Sequence, residues 1–216
     1  MIAAARKIQS HPLPQQLRRF FENGDMLTRA EFLRRYDLMD VKSAELIEGI
    51  VHMPSPVRFN KHAGPDALMN ALLFNYAAEH GLEACTNATV LLDSENALQP
   101  DAILCSTPRK GGRVWINEDD LLCGSPELVV EISASSVSIG LRDKLRVYRR
   151  SGVNEYIVWR TEDREIDWFV LDDGQYVKLA ADRHGRIHSR MFKGLVLDTA
   201  AALKMDKAKV LAALRR

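Results

Sequence analysis

Short apolar runs, each broken at a few positions by one charged residue, set the pattern of this 216-residue chain. In Glu127–Ser133 strict alternation puts Leu128, Val130 and Ile132 on one strand face and Val129, Glu131 and Ser133 on the other. The first face is core. The second carries a charge, so it is expected to border a cavity, a partner or solvent. Upstream, Thr28 opens a helix over TRAEFLRRY, with Glu31 three residues on as its reciprocal cap. AELIEGIVHMPSP predicts two short strands about Glu48-Gly49, ended by Pro54 and Pro56. Helical spacing of Ala67, Leu68, Ala71 and Leu72 predicts a helix from Lys61 to His80, stopped by Gly81. LEACTNATVLLD and DAILC predict strands, with Pro100 at the start of the second.

RKGGR and NEDDLLCGSP predict a polar connection, and a helix follows from Ser138 to Ser151, closed by Gly152. EYIVW, EIDWFVL and QYVKL predict an antiparallel meander that turns at Asp173-Gly174. Asp206 caps a last helix that runs to Arg216. Near the start, the prolines of His11-Pro12-Leu13-Pro14 leave room for one short helical turn in QQLRRFFEN. No internal repeat or low-complexity tract is present. The order of elements predicts an α/β (mixed α+β) fold with a mixed sheet flanked by helices. The organisation expected is one domain over 26–198, an extension over 1–25 and a helical extension over 199–216.

Composition narrows the classes. Apolar residues make up 46% and charged residues 27%, and the formal net charge is +1, as in a water-soluble globular protein. That balance disfavours a dedicated nucleic-acid binder, which carries a strong basic excess, but not an enzyme with a locally basic groove. Cys85, Cys105 and Cys123 are odd in number and form no CxxC pair, so free buried thiols in a reducing cytoplasm are expected. The apolar part of the N-terminus is too short for a signal peptide, and no run approaches the roughly 20 apolar residues of a membrane span.

Three polar interruptions suggest chemistry. Asp101 begins a strand, where its carboxylate can point into a cleft; a turn or strand-edge aspartate is the plainer reading. Glu131 is costly to bury unless it is paired, protonated or bound to a metal. On the following helix Leu141, Leu145 and Tyr148 form the apolar stripe. Lys144 lies on one flank of it, and Arg142, Arg146 and Arg149 lie on the other. Lys144 can therefore reach along the sheet toward the acids. Hard oxygen ligands suit Mg²⁺, which takes one or two carboxylates and keeps several waters. Such a metal activates bound water and neutralises phosphate charge, and the arginines, with Arg109, Lys110 and Arg113, would hold phosphates. No HExxH, GxSxG or Walker-type motif competes.

ELIEG, MPSP, His62, PDAIL, PELVVEIS and KLRVYRRSGVNEYIVW, in that order, resemble the Uma-two family of the PD-(D/E)XK nuclease superfamily. The resemblance covers about Met26 to Leu197 and includes MFKGLVLD. It implies a restriction-endonuclease-like core and hydrolysis of DNA phosphodiesters with Mg²⁺ (or Mn²⁺). By position it makes Asp101, Glu131 and Glu45 metal ligands. Lys144 takes the place of the superfamily lysine, which would otherwise fall at Ser133, and His62 joins the arginines near the substrate. Gly140, Ser133-Ala134 and Arg160 depart from the family pattern. Two readings follow: a metal-dependent endonuclease, or a catalytically inactive nuclease-fold module that binds nucleic acid or a protein partner. Cleavage of both strands would favour a homodimer.

Overall fold

A computed structural model describes residues 20–39, 43–53, 56–134 and 139–215 of the chain. The helical turn expected in QQLRRFFEN lies mostly outside these residues. Helix α1 (Arg29–Tyr36) begins as expected, with the Thr28 hydroxyl accepting from the Glu31 N–H. The reciprocal half of the cap is absent. Glu31 turns its carboxylate to Arg34 and Arg35, because two guanidinium groups outbid one backbone N–H.

Among the described residues the strands form two six-stranded sheets and one pair. The first sheet joins β1 (Glu45–Ile47), β2 (Ile50–His52), β4 (Val90–Leu91), β5 (Ala97–Leu98), β7 (Trp115–Ile116) and β8 (Leu122–Cys123) in the order β2-β1-β5-β4-β8-β7. Glu48 and Gly49 both hold positive φ, 50° and 78°, the backbone of a tight hairpin between β1 and β2. The polar connection expected over NEDDLLCGSP is instead the β7–β8 hairpin. Its two-residue strands are too short for alternation to show. LEACTNATVLLD is not one strand either: Asn87 has φ 53° and breaks it, so its two ends enter different sheets.

The second sheet holds β3 (Glu83–Cys85), β6 (Ala102–Cys105), β9 (Leu128–Ser133), β10 (Glu155–Arg160), β11 (Glu165–Asp172) and β12 (Gln175–Lys178), in the order β12-β11-β10-β9-β6-β3. β9 and β10 run parallel, linked by α3 (Ile139–Arg150), and the other pairs are antiparallel. The sheet is therefore mixed, and the meander turns at Asp173-Gly174 as expected.

Helix α2 (Gly64–His80) covers one face of this sheet. Leu68, Met69, Leu72 and Leu73 pack there on Leu128, Val130, Ile132, Ile157 and Trp159. Gly81, with φ 60°, stops α2 as expected. Helix α3 covers the other face, with Val147 and Tyr148 against Val129, Tyr156 and Val158. Glu131 is thus 6% exposed. That corrects the solvent-facing alternative for its face: a helix covers it, and among the described residues side chains of that helix meet the carboxylate.

A pair not foreseen, β13 (Arg186–His188) with β14 (Val196–Asp198), leads into α4 (Thr199–Leu203) and α5 (Lys207–Ala212). The last helix is shorter than expected, although Asp206 does cap it. Ala201, Ala202 and Val210 of this segment enter the α2-side core. Phe21 stacks on Phe32 in a core beneath the first sheet. Asp198 caps α4 through the Ala201 N–H (2.9 Å) while 2% exposed. Asp198→Ala is expected to cost about 1–2 kcal/mol, read as a lower denaturant midpoint at unchanged slope.

Candidate active site

Two antiparallel strands bring the acids together. β6 pairs with β9 so that Ala102 faces Val130, and one residue further along the register lie Asp101 and Glu131. Asp101 is fixed at the strand start: Ile132 N–H donates to its Oδ2 at 2.6 Å. His62 Nε2 lies 3.2 Å from the other oxygen, Oδ1. His62 sits in one wide helical turn, Phe59–Ala63, that runs into α2. There Ala63 N–H reaches back to Arg58 C=O.

Glu131 meets α3. Lys144 Nζ donates to its two oxygens at 3.0 and 2.9 Å, and the Tyr148 hydroxyl donates to Oε1 at 2.6 Å. Lys144 and Tyr148 are one turn apart and share a helix face. The same ammonium is 2.8 Å from Glu45 Oε1, and Gln99 N–H also donates to that oxygen. Lys144 therefore joins an acid of the first sheet to an acid of the second.

The hairpin that carries Glu45 is tied to α3 outside the site as well. Glu48 at its turn pairs with Arg146 and Arg150. Of the arginines considered for substrate, Arg146 is thus engaged with Glu48 and Asp143, Arg149 donates to Gln175 Oε1, and Arg142 is exposed. Among the described residues no ion pair or hydrogen bond joins these three to Asp101 or Glu131. The structure brings Asp101, Glu131, Glu45, Lys144 and His62 together and leaves the arginines on the outer flank of α3.

Charge is unbalanced here. Burial pushes the Glu131 carboxyl up to about 8 against the pull of Lys144, with Asp101 and Glu45 adding to the rise. Burial alone would lower the Lys144 pKa, but Glu131 and Glu45 outweigh it and hold the ammonium charged. The Asp101 hydrogen bond raises the His62 pKa.

Asp66 was not anticipated. It lies one helical turn beyond His62, and burial together with the Asp101 charge pushes it up to about 6. Tyr148 was read only as part of an apolar stripe. The i, i+4 spacings of His62 with Asp66 and of Lys144 with Tyr148 were the signals available for both.

The donor set fits a hard divalent cation. The acids outnumber the ammonium between them, and the Asp101 charge adds to the burial that raises the Glu131 and Asp66 carboxyls, a repulsion that a cation would relieve. Among the described residues no three His, Cys, Asp or Glu side chains form a ready cage. Two carboxylates completed by water are the Mg²⁺ arrangement.

The sequence model of the Uma2 family, described as putative restriction endonuclease, matches residues 29–200. The fold is similar to the crystal structure of a putative nuclease belonging to DUF820 from Anabaena variabilis, with a TM-score of 0.65 and 13% identity. The match covers 83% of this chain and 98% of that one. No curated protein matches the chain.

Proposed function

This chain belongs to the Uma2 family of putative restriction endonucleases, and from that premise we propose that it hydrolyses DNA phosphodiester bonds with Mg²⁺ or Mn²⁺. The observation that carries the reading is the pairing of Asp101 and Glu131 on adjacent strand ends, with Lys144 bridging Glu131 to Glu45. Asp101 and Glu131 would hold the metal with water completing its shell, and Glu45 would join if Lys144 gave it up. When bound, the ion would lower the pKa of a coordinated water and neutralise charge on the phosphate.

The chain's own groups do the rest. Ile132 N–H fixes the Asp101 carboxylate. Lys144 and Tyr148 orient Glu131 and, by donating to it, oppose the rise that burial imposes on its pKa. His62, made more basic by Asp101, would place positive charge beside a phosphate oxygen. Arg142, Arg146 and Arg149 would meet phosphates away from the scissile one, and Arg146 would exchange Glu48 and Asp143 for them. A homodimer would let two sites cut two strands. Cys85, Cys105 and Cys123 are free, and burial pushes the Cys105 thiol up to about 12. A buried, unpaired thiol of the Cys105 kind supports a reducing, cytoplasmic setting. Among the described residues no helix is long and apolar enough to cross a membrane.

The test is nicking of supercoiled plasmid by the full chain with Mg²⁺ or Mn²⁺. Asp101→Asn and Glu131→Gln are each expected to lose at least about 100-fold in rate, and chelation to abolish nicking. Equal activity in both variants would mean a contaminant or a misplaced site. No nicking, with no Mn²⁺ binding by calorimetry, would favour the inactive binding module.

A further inference from the structure

Beside the acids lies an open cleft of about 330 Å³, lined in part by Val57, Arg58, Lys61, His62 and Glu162. His62 belongs both to its wall and to the Asp101 contact, so the cleft leads to the candidate site. Val57 of its lining is 64% exposed, and Phe59, between the lining residues Arg58 and Lys61 in sequence, is 75% exposed. Lys61 pairs with Glu162 across the cleft. Phe59 itself lines a neighbouring, mostly apolar groove with Ala63, Pro65, Met205 and Leu211, one residue along the chain from Arg58 of the cleft.

An exposed aromatic ring flanked along the chain by cations is the pattern of a single-strand platform. Each unpaired base offers a π-face to stack on, and the cations take the backbone. A regular duplex offers no such face. The net charge of +1 also fits a grip built from stacking and few phosphates, since duplex binding draws mainly on many cation–phosphate contacts.

Resting on the nuclease reading, we infer that Val57–His62 seats an unpaired nucleotide strand. A base stacks on Phe59, Arg58 and Lys61 contact phosphates, and the strand is led toward Asp101. A phosphate at Lys61 takes the place that Glu162 holds. The substrate class is then single-stranded DNA, or duplex with unpaired nucleotides at the cut.

The test is fluorescence anisotropy of the full chain, without divalent metal, on a short labelled oligothymidylate and on a duplex of the same length. The single strand is expected to bind more tightly. The dependence of log K on log salt should have a slope of about −1.4, the value for two phosphates on a single strand. Phe59→Ala is expected to weaken binding about 5- to 150-fold. Phe59→Trp should hold or strengthen it, and Phe74→Ala, an exposed phenylalanine elsewhere on α2, should leave it unchanged. Equal or tighter duplex binding, or no effect of Phe59→Ala, overturns the inference. Because this readout needs no cleavage, a chain that binds the single strand yet never nicks plasmid would refute only the nuclease reading. One that nicks duplex without these binding effects would refute only the single-strand seat.

Discussion

Lys144→Met is expected to give a folded but much less stable protein with no measurable plasmid nicking. Lys144 is the ammonium between Glu131 and Glu45, with 12% of its side chain exposed. Removing one partner of a buried ion pair leaves the other charge uncompensated, at a cost of about 3–5 kcal/mol. The loss should depend on pH in a definite sense. Burial already raises Glu131 to about 8, and without Lys144 it rises further. A carboxyl whose folded pKa lies above its unfolded value of about 4.3 favours the folded state at low pH and loses that contribution as pH rises through the folded value. The variant should therefore be closest to wild type near pH 5 and fall furthest behind above pH 8, as read by urea denaturation across that range. Adding Glu131→Gln should recover part of the stability, because the two sites are coupled, and none of the activity. A deficit independent of pH would mean that Lys144 contributes by packing alone.

The second large effect is expected at Glu155, which the sequence reading passed over. Its carboxylate is completely buried and accepts four hydrogen bonds. Trp168 Nε1 (3.0 Å) and the Ser189 hydroxyl (2.8 Å) donate to Oε2, and the N–H groups of Arg190 (2.7 Å) and Met191 (2.9 Å) donate to Oε1. Glu155→Ala leaves all four donors without an acceptor. Each stranded donor costs about 1–3 kcal/mol, so a total of about 4 kcal/mol or more is expected, a large part of the roughly 5–15 kcal/mol that holds a domain folded. Glu155→Gln keeps one acceptor oxygen and should lose less, about 2–3 kcal/mol. Chemical denaturation measures both, and the emission of the fully buried Trp168 should shift to the red in the alanine variant. A loss below about 1 kcal/mol would show that water replaces the carboxylate.

The contrast between these two residues explains what the sequence disclosed. Glu131 was visible because it interrupts an apolar strand run, and Lys144 because a 3.6-residue wheel puts it on one flank of the apolar stripe. Local periodicity reaches both. Glu155 begins a strand, where an acid looks like a surface residue, and its partners come from Trp168 and the loop before β14. Nothing local reports a contact across that distance. The β7–β8 and β13–β14 pairs were missed for a related reason, since strands of two or three residues carry too few positions for a period. At Asn87 the strand pattern continued while the backbone turned, because asparagine adopts positive φ at low cost. The arginines of α3 were placed on the correct flank, but which anions they meet depends on Glu48 and Gln175, which the helix pattern does not see.

The seam at Lys144 has a consequence for how the chain comes into being. Glu45 is made early and belongs to one sheet. Asp101 and Glu131 come later and belong to the other, and the lysine that joins them lies on the helix made after both. A growing chain, or one that has lost the docking of its two sheets, holds the acids but not their arrangement. The constellation exists only once at least the first 144 of the 216 residues have been synthesised and the two sheets have met. Assembly itself gates the constellation, so that a half-made or unfolded copy does not present it.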